Sequence, residues 1–117
     1  MASCDIGVMS GDDSLTLPLM ALGADGVVSV AANVAPARVK AIVSAALKGD
    51  FAAARAAHRA IMELVRSLFL ETNPIPVKTA LRLMGRINGQ LRLPLCPPSA
   101  ETEKALGESL SALGLIP

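Results

Sequence analysis

Residues 7–13 read Gly7-Val8-Met9-Ser10-Gly11-Asp12-Asp13. An apolar run stops at a glycine, and two carboxylates follow at once. Ile6 to Ser10 has turn signals on both sides and no polar alternation, which predicts a short parallel strand buried on both faces. A parallel strand needs a crossover and a partner, so the stretch decides the fold. Gly26-Val27-Val28-Ser29-Val30 is a second β-branched run of the same kind. Between them Thr16 is the expected cap of a short helix, with Pro18 in the first turn, where a missing N–H is harmless, and Gly23 as its end. Strand, helix and strand at this spacing form a βαβ unit, and a pair buried on both faces needs neighbours on either side.

From Pro36 onward the pattern is helical. Val39, Ile42, Val43, Ala46 and Leu47 fall on one face before Gly49. Asp50 is placed to cap the next helix, with Phe51, Ala54, Ile61, Leu64, Val65 and Leu68 as its buried stripe. Arg55, Arg59, Glu63 and Arg66 form its wet side, where Arg59–Glu63 and Glu63–Arg66 have pairing distance in sequence. Asn73-Pro74-Ile75-Pro76 cannot continue that helix. A new one is predicted from Val77 to Met84, ended by Gly85. Residues 86–98 read as extended and proline-rich. Ser99 caps a last helix, with Leu106, Leu110 and Leu113 inward and Gly114 at its close.

The 117 residues make one small domain, and at that size much of the chain's surface stays exposed after folding. Yet 52% of the residues are hydrophobic and only 18% are charged, with a mean hydropathy of +0.51. That composition predicts apolar surface which a partner, a further domain or a membrane must cover. Residues 15–37 carry one acid and no base, long enough to span a bilayer. Pro18, Gly23, Asp25, Gly26, Asn33 and Pro36 break them into pieces too short to cross, so no membrane is expected. Nucleic acid is excluded by a net charge of +1, scattered basic residues and only two aromatic side chains, both Phe. There is no signal-peptide pattern. Cys4 and Cys96 are too few for a disulfide framework or a zinc site, which fits a reducing cytoplasm.

Few residues offer chemistry. Asp12 and Asp13 could be a metal or acid/base pair, but only Asp25 lies near in sequence to complete it. Turn formation and first-turn capping are the commoner roles for such acids. His58, alone on an arginine-bearing face, is expected to be solvated. Lys78 could form an imine if it were desolvated beside a pocket. Its position after Pro76, in a helix of the C-terminal region, argues against that.

Four motifs in order resemble the C-terminal part of the dihydrodipicolinate synthase (4-hydroxy-tetrahydrodipicolinate synthase) family of pyruvate-dependent, Schiff-base class I aldolases and lyases. They are Ser10-Gly11-Asp12-Asp13, then Gly26 to Val30 followed by Ala32-Asn33-Val34, then Asn73-Pro74-Ile75-Pro76-Val77-Lys78, and Leu91-Arg92-Leu93-Pro94-Leu95. Each is weak alone; four in order are strong. The resemblance runs from about Ile6 to Leu115. N-acetylneuraminate lyases share the fold, but the first and third motifs are closer to the synthase.

The resemblance implies an α/β fold class: the C-terminal fragment of a (β/α)8 TIM barrel, comprising its last two parallel strands, plus a helical C-terminal extension, mostly α by content. Residues 1–35 would be the last two βα units and 36–117 the helical region. Active sites of such barrels sit at the C-terminal ends of the strands. Gly11, Asp12 and Val28 are accordingly the expected substrate-binding residues. Gly11 would line the pyruvate site and the Val28 carbonyl would face the ligand. The family's imine-forming lysine, carboxylate-binding threonines, entrance arginine and relay tyrosines belong to the six strands that precede these. This chain has no tyrosine. No catalytic residue, metal or cofactor is therefore expected in it, and the chain alone should be inactive. The start at Met1, just before the strand, suggests a truncated gene or an excised piece. The expected partners are pyruvate and either a homo-oligomer or a complementing chain. The alternative is a non-catalytic helical interaction or oligomerisation module derived from the family.

Overall fold

The structure is a computed structural model and describes residues 6–117; Cys4 and the chain start lie outside those residues. The elements run β1 (Met9–Ser10), α1 (Thr16–Ala21), β2 (Gly26–Val27), a 3-10 turn (Ala31–Asn33), α2 (Pro36–Leu47), α3 (Phe51–Leu68), α4 (Ile75–Leu83) and α5 (Ala100–Ala112). β1 and β2 pair in parallel, Met9 opposite Gly26 and Ser10 opposite Val27. The backbone bonds Asp25 N–H to Val8 O (2.7 Å) and Val28 N–H to Ser10 O (2.8 Å) continue the ladder at each end.

Both strands are shorter than their apolar runs. The second run turns into the 3-10 helix because the Asp13 carboxylate accepts from the Val30 and Ala31 N–H groups, at 3.0 and 2.9 Å. The first strand is not buried on both faces either. Ile6 is 70% exposed and Val8 and Met9 are each 51% exposed, while Ser10 is fully buried. Among the described residues the sheet has two strands, and no other strand pairs with the outer edge of β1.

The folding energy resides in the helices. Val39 and Ile42 of α2, Ile61, Leu64, Val65 and Leu68 of α3, Val77 and Ala80 of α4, and Leu106 and Leu110 of α5 form one core. Met20, Ala24, Ala46 and Ala54 pack α1 against α2 and α3 as a smaller one. Polar ties hold the helices in register. The Asp50 carboxylate accepts from Ala53 N–H (2.9 Å), and Gly49, at φ +77°, makes the left-handed turn between α2 and α3. The Ser99 hydroxyl accepts from Thr102 N–H (3.2 Å). The Glu71 carboxylate accepts from Ser99 N–H (2.9 Å), tying the α3–α4 loop to the start of α5. Arg82 pairs with Glu103 at 2.8 Å between α4 and α5.

Several expectations need correction. Thr16 opens α1 rather than capping it. The chain has already turned at Asp12, whose carboxylate accepts from Ser14 and Leu15 N–H. α4 starts at Ile75, with Pro76 inside its first turn, because first-turn N–H groups have no helical partner to lose. Leu47 (63% exposed) and Phe51 (38% exposed) lie at helix ends beyond the reach of the core. On the wet face of α3, Glu63 pairs with Arg66; among the described residues no bond joins it to Arg59. His58 is half-buried, not solvated, and its Nδ1 is buried without a hydrogen-bond partner.

Two outcomes follow from this distribution of burial. Leu64→Ala and Leu110→Ala should each cost about 2–5 kcal/mol, read from denaturant unfolding, because both side chains are fully buried. Val8→Ala should cost less than either, and a larger loss there would mean that β1 has found a covering partner. Ile6, Val8, Met9, Leu22 and Val28 are all half or more exposed, and a bare parallel edge pairs readily with other chains. Sedimentation at micromolar concentration should show self-association; a single compact 12.0 kDa species that binds no hydrophobic dye would contradict it.

Candidate functional site

The two carboxylates after β1 part company. Asp12 Oδ1 accepts from Ser14 N–H (2.7 Å), the Ser14 hydroxyl (2.6 Å) and Leu15 N–H (3.3 Å), closing the turn into α1. The Ser14 hydroxyl holds this carboxyl below its ordinary range, against the opposing effect of burial and with further help from the Ser14 and Leu15 N–H groups. Asp13 turns the other way and is only 2% exposed. It accepts from the Ser29 hydroxyl as well as from Val30 and Ala31 N–H, 16 to 18 residues along the chain. Ser29 Oγ in turn accepts from Ala32 N–H (2.8 Å). Asp13 thus clamps the C-terminal end of β1 to the segment leaving β2. Capping is the role the sequence favoured for both acids, but the turn that Asp13 caps is not its own. No spacing within 7–13 signals that long-range partner.

With both carboxylates engaged, and no cluster of three His, Cys, Asp or Glu among the described residues, the strand ends offer backbone and space. A cavity of about 450 Å³ lies there, lined by Gly11, Val28, Ser29, Asn33, Asn73 and Lys78, with Val30, Pro74, Val77 and Leu81 as apolar wall. Gly11 and Val28, predicted together from sequence, share it. Asp12, the third expected substrate residue, is not among its lining residues, because its carboxylate is committed to the α1 turn. A Cβ built on Gly11 would meet nothing within 4 Å, so the glycine faces open space. No N–H or O–H of the described residues donates to the Val28 carbonyl, leaving that acceptor free. The sequence reading missed the contribution of Asn73 and of Lys78 to this wall. The signal was present: α4 opens within the Asn73–Lys78 motif, so that motif's residues lie beside the strand ends.

A family model described as the dihydrodipicolinate synthetase family matches residues 1–113 of the chain. The 4-hydroxy-tetrahydrodipicolinate synthase of Methanocaldococcus jannaschii is 54% identical over 111 residues, covering 95% of this chain and 38% of the relative. Among solved structures, the dihydrodipicolinate synthase of Aquifex aeolicus matches with a TM-score of 0.93 at 52% identity, over 97% of this chain and 39% of that one. The chloride-inhibited dihydrodipicolinate synthase of Acinetobacter baumannii, complexed with pyruvate, matches with a TM-score of 0.91 at 41% identity, over 95% and 38% of the two chains. The chain spans about 38% of the length of the curated relatives it matches. The solved neighbours are TIM barrels, and two parallel strands followed by helices are consistent with part of one. No helix of the described residues is long and apolar enough to cross a membrane.

The ionisable group at a second cavity, between α1 and α3, yields a prediction. His58 lies there with Leu17, Pro18, Ala21, Phe51 and Arg55, and burial holds its pKa below the ordinary 6.5. The unfolded chain therefore binds this proton more readily than the folded one, so stability is full above about pH 6.5 and falls as pH drops below it, levelling off beneath the folded pKa. Asp12 and Glu71 are shifted down by their hydrogen bonds, so they lose their contributions only in stronger acid. Urea midpoints at about pH 7.5 and about pH 5 should differ more for the native chain than for His58→Leu. An equal difference in both would remove His58 as the cause.

Proposed function

The chain belongs to the dihydrodipicolinate synthetase family, and from that premise we propose that it is the C-terminal part of a pyruvate-dependent Schiff-base lyase. The parent reaction condenses pyruvate with aspartate semialdehyde through a lysine-bound enamine, in diaminopimelate and lysine biosynthesis. Residues 1–35 then complete the barrel as its last two βα units, and 36–117 form the helical extension. The observation that carries this reading is the shared cavity of Gly11 and Val28 at the C-terminal ends of the two strands, where barrels of this type hold their substrates. In this role Gly11 gives a pyruvate room, the Val28 carbonyl is an acceptor beside it, and Asp12 shapes the rim by fixing the turn behind Gly11. The fold supplies wall and position; the imine-forming lysine and the proton relay come from another part of the barrel.

The exposed apolar residues of β1 and α1, with Leu22 at 85% exposure, support a second reading: a helical module retained for assembly, with a second copy or a complementing chain as partner. The two readings differ in what happens when the remaining strands are supplied.

Alone, the chain should give no adduct when reduced with borohydride in the presence of pyruvate. Lys40, Lys48 and Lys104 are exposed, and the Lys78 amine donates to the Gln90 carbonyl. Imine formation needs a neutral amine in a dry pocket. Co-expressed with the preceding six βα units of a relative, the chain should restore trapping on the added chain's lysine, and Gly11→Val should abolish it. An adduct on Lys78 would overturn the reading, and restoration indifferent to Gly11→Val would favour the assembly module.

A further inference from the structure

The cavity between α1 and α3 shares no lining residue with the one at the strand ends. It measures about 410 Å³ and is lined by Leu17, Pro18, Ala21, Phe51, Arg55 and His58, a size within the range of small-molecule sites. Its two polar residues lie three apart on α3 and so share one face of that helix. No carboxylate lines it. α1 has no ionisable side chain from Thr16 to Ala21. Along α3 the charged neighbours of His58 are Arg55 and Arg59, while Asp50 is engaged by Ala53 N–H and Glu63 by Arg66.

Both polar groups have capacity to spare. Arg55 is exposed and forms no ion pair among the described residues. The His58 Nδ1 is buried without a partner. Burial disfavours the charged ring and keeps it neutral at neutral pH. A neutral imidazole carries one N–H. On Nδ1 that proton would be a buried donor with no acceptor, the rarer fault in folded proteins, so it is assigned to Nε2. The Nε2 edge is then the ring's open donor, and no acceptor among the described residues engages it.

The geometry points to the α1–α3 cavity as a binding site for a single-chain aliphatic carboxylate, its body against Leu17, Pro18, Ala21 and Phe51 and its head on the Arg55 guanidinium and the His58 Nε2–H. The guanidinium supplies the charge and a fork that matches a carboxylate, and the imidazole N–H orients the head. A neutral amphiphile would fit the walls but leave the guanidinium partly desolvated and unpaired. A second copy of the chain is a poorer occupant, because a two-fold contact centred here would set Arg55 against its own counterpart.

His58 is the only histidine of the chain, so its ring signals in NMR report on this cavity alone. Octanoate added to the whole chain should shift them saturably at about pH 7.5, where the ring is neutral and the carboxylate charged. 1-Octanol, which has the body without the charge, and acetate, which has the head without the body, should each bind at least about threefold more weakly. Arg55→Gln should weaken octanoate by about the same factor. Ala21→Phe fills the cavity from an exposed position and should abolish the shift while the urea midpoint stays near that of the native chain. At saturating octanoate the His58 titration should move to higher pH, since an anion beside the ring favours its charged form. No saturable shift, equal affinity for 1-octanol, or undiminished binding in a folded Ala21→Phe chain would each overturn the proposal. His58 signals that follow protein dilution and ignore octanoate would overturn it as well, making a second copy the occupant.

Discussion

The Asp13 carboxylate is the constraint on which the strand ends depend. It is nearly fully buried and spends its acceptor capacity on one hydroxyl and two backbone N–H groups that belong to the exit of β2. Those N–H groups open the 3-10 turn, where they would otherwise lack partners. A buried carboxylate is costly unless its oxygens are satisfied, and here the same bonds that satisfy it bring the two strand ends together. Gly11 and Val28 face one cavity because of it. The pairing of β1 with β2 is only two residues long on each side, too short to set that geometry unaided.

The helical part is organised by a different force. Its core draws on all four long helices, and the ties across it, from Glu71 to the start of α5 and from Arg82 to Glu103, sit at exposed margins where they contribute specificity more than energy. The strand region therefore rests on a body that folds by burial, while its own apolar residues stay largely in water. This division explains why Val8 and Met9 read as core in the sequence and are half-exposed in the chain. Their pattern records a burial that the two strands alone do not provide.

Much of the fold was legible because its signals are local. Asp50, Ser99, Gly49 and Gly114 end or begin helices where their chemistry demands, and the 3.6-residue spacing of Ile61, Leu64, Val65 and Leu68 identified the buried face of α3. What misled was context. Thr16 has cap chemistry, yet Asp12 had already turned the chain. His58 stands on a face with arginines, yet α1 packs over it closely enough to bury Nδ1. At the strand ends, Gly11 and Val28, which share a cavity, were singled out through motif resemblance and not from spacing. The place of Lys78 on cavity walls was not legible, because only the tertiary approach of α4 to the strand ends shows which cavities it lines.

The glycines separate what the fold requires from what it leaves free. At Gly49 the backbone has a positive φ that side chains resist. At Gly26 a Cβ would come within 3.1 Å of the Met9 Cε, so strand packing disfavours anything larger. Gly11 has neither restriction: its φ lies outside the left-handed region and a Cβ there would meet open space. A glycine in such a place weakens the fold slightly, since it gives up more chain entropy on folding than alanine does, on the order of 0.5–1 kcal/mol. The chain's own packing leaves the space beside Gly11 open, and it belongs to the same cavity as Val28, whose carbonyl accepts no hydrogen bond from the described residues.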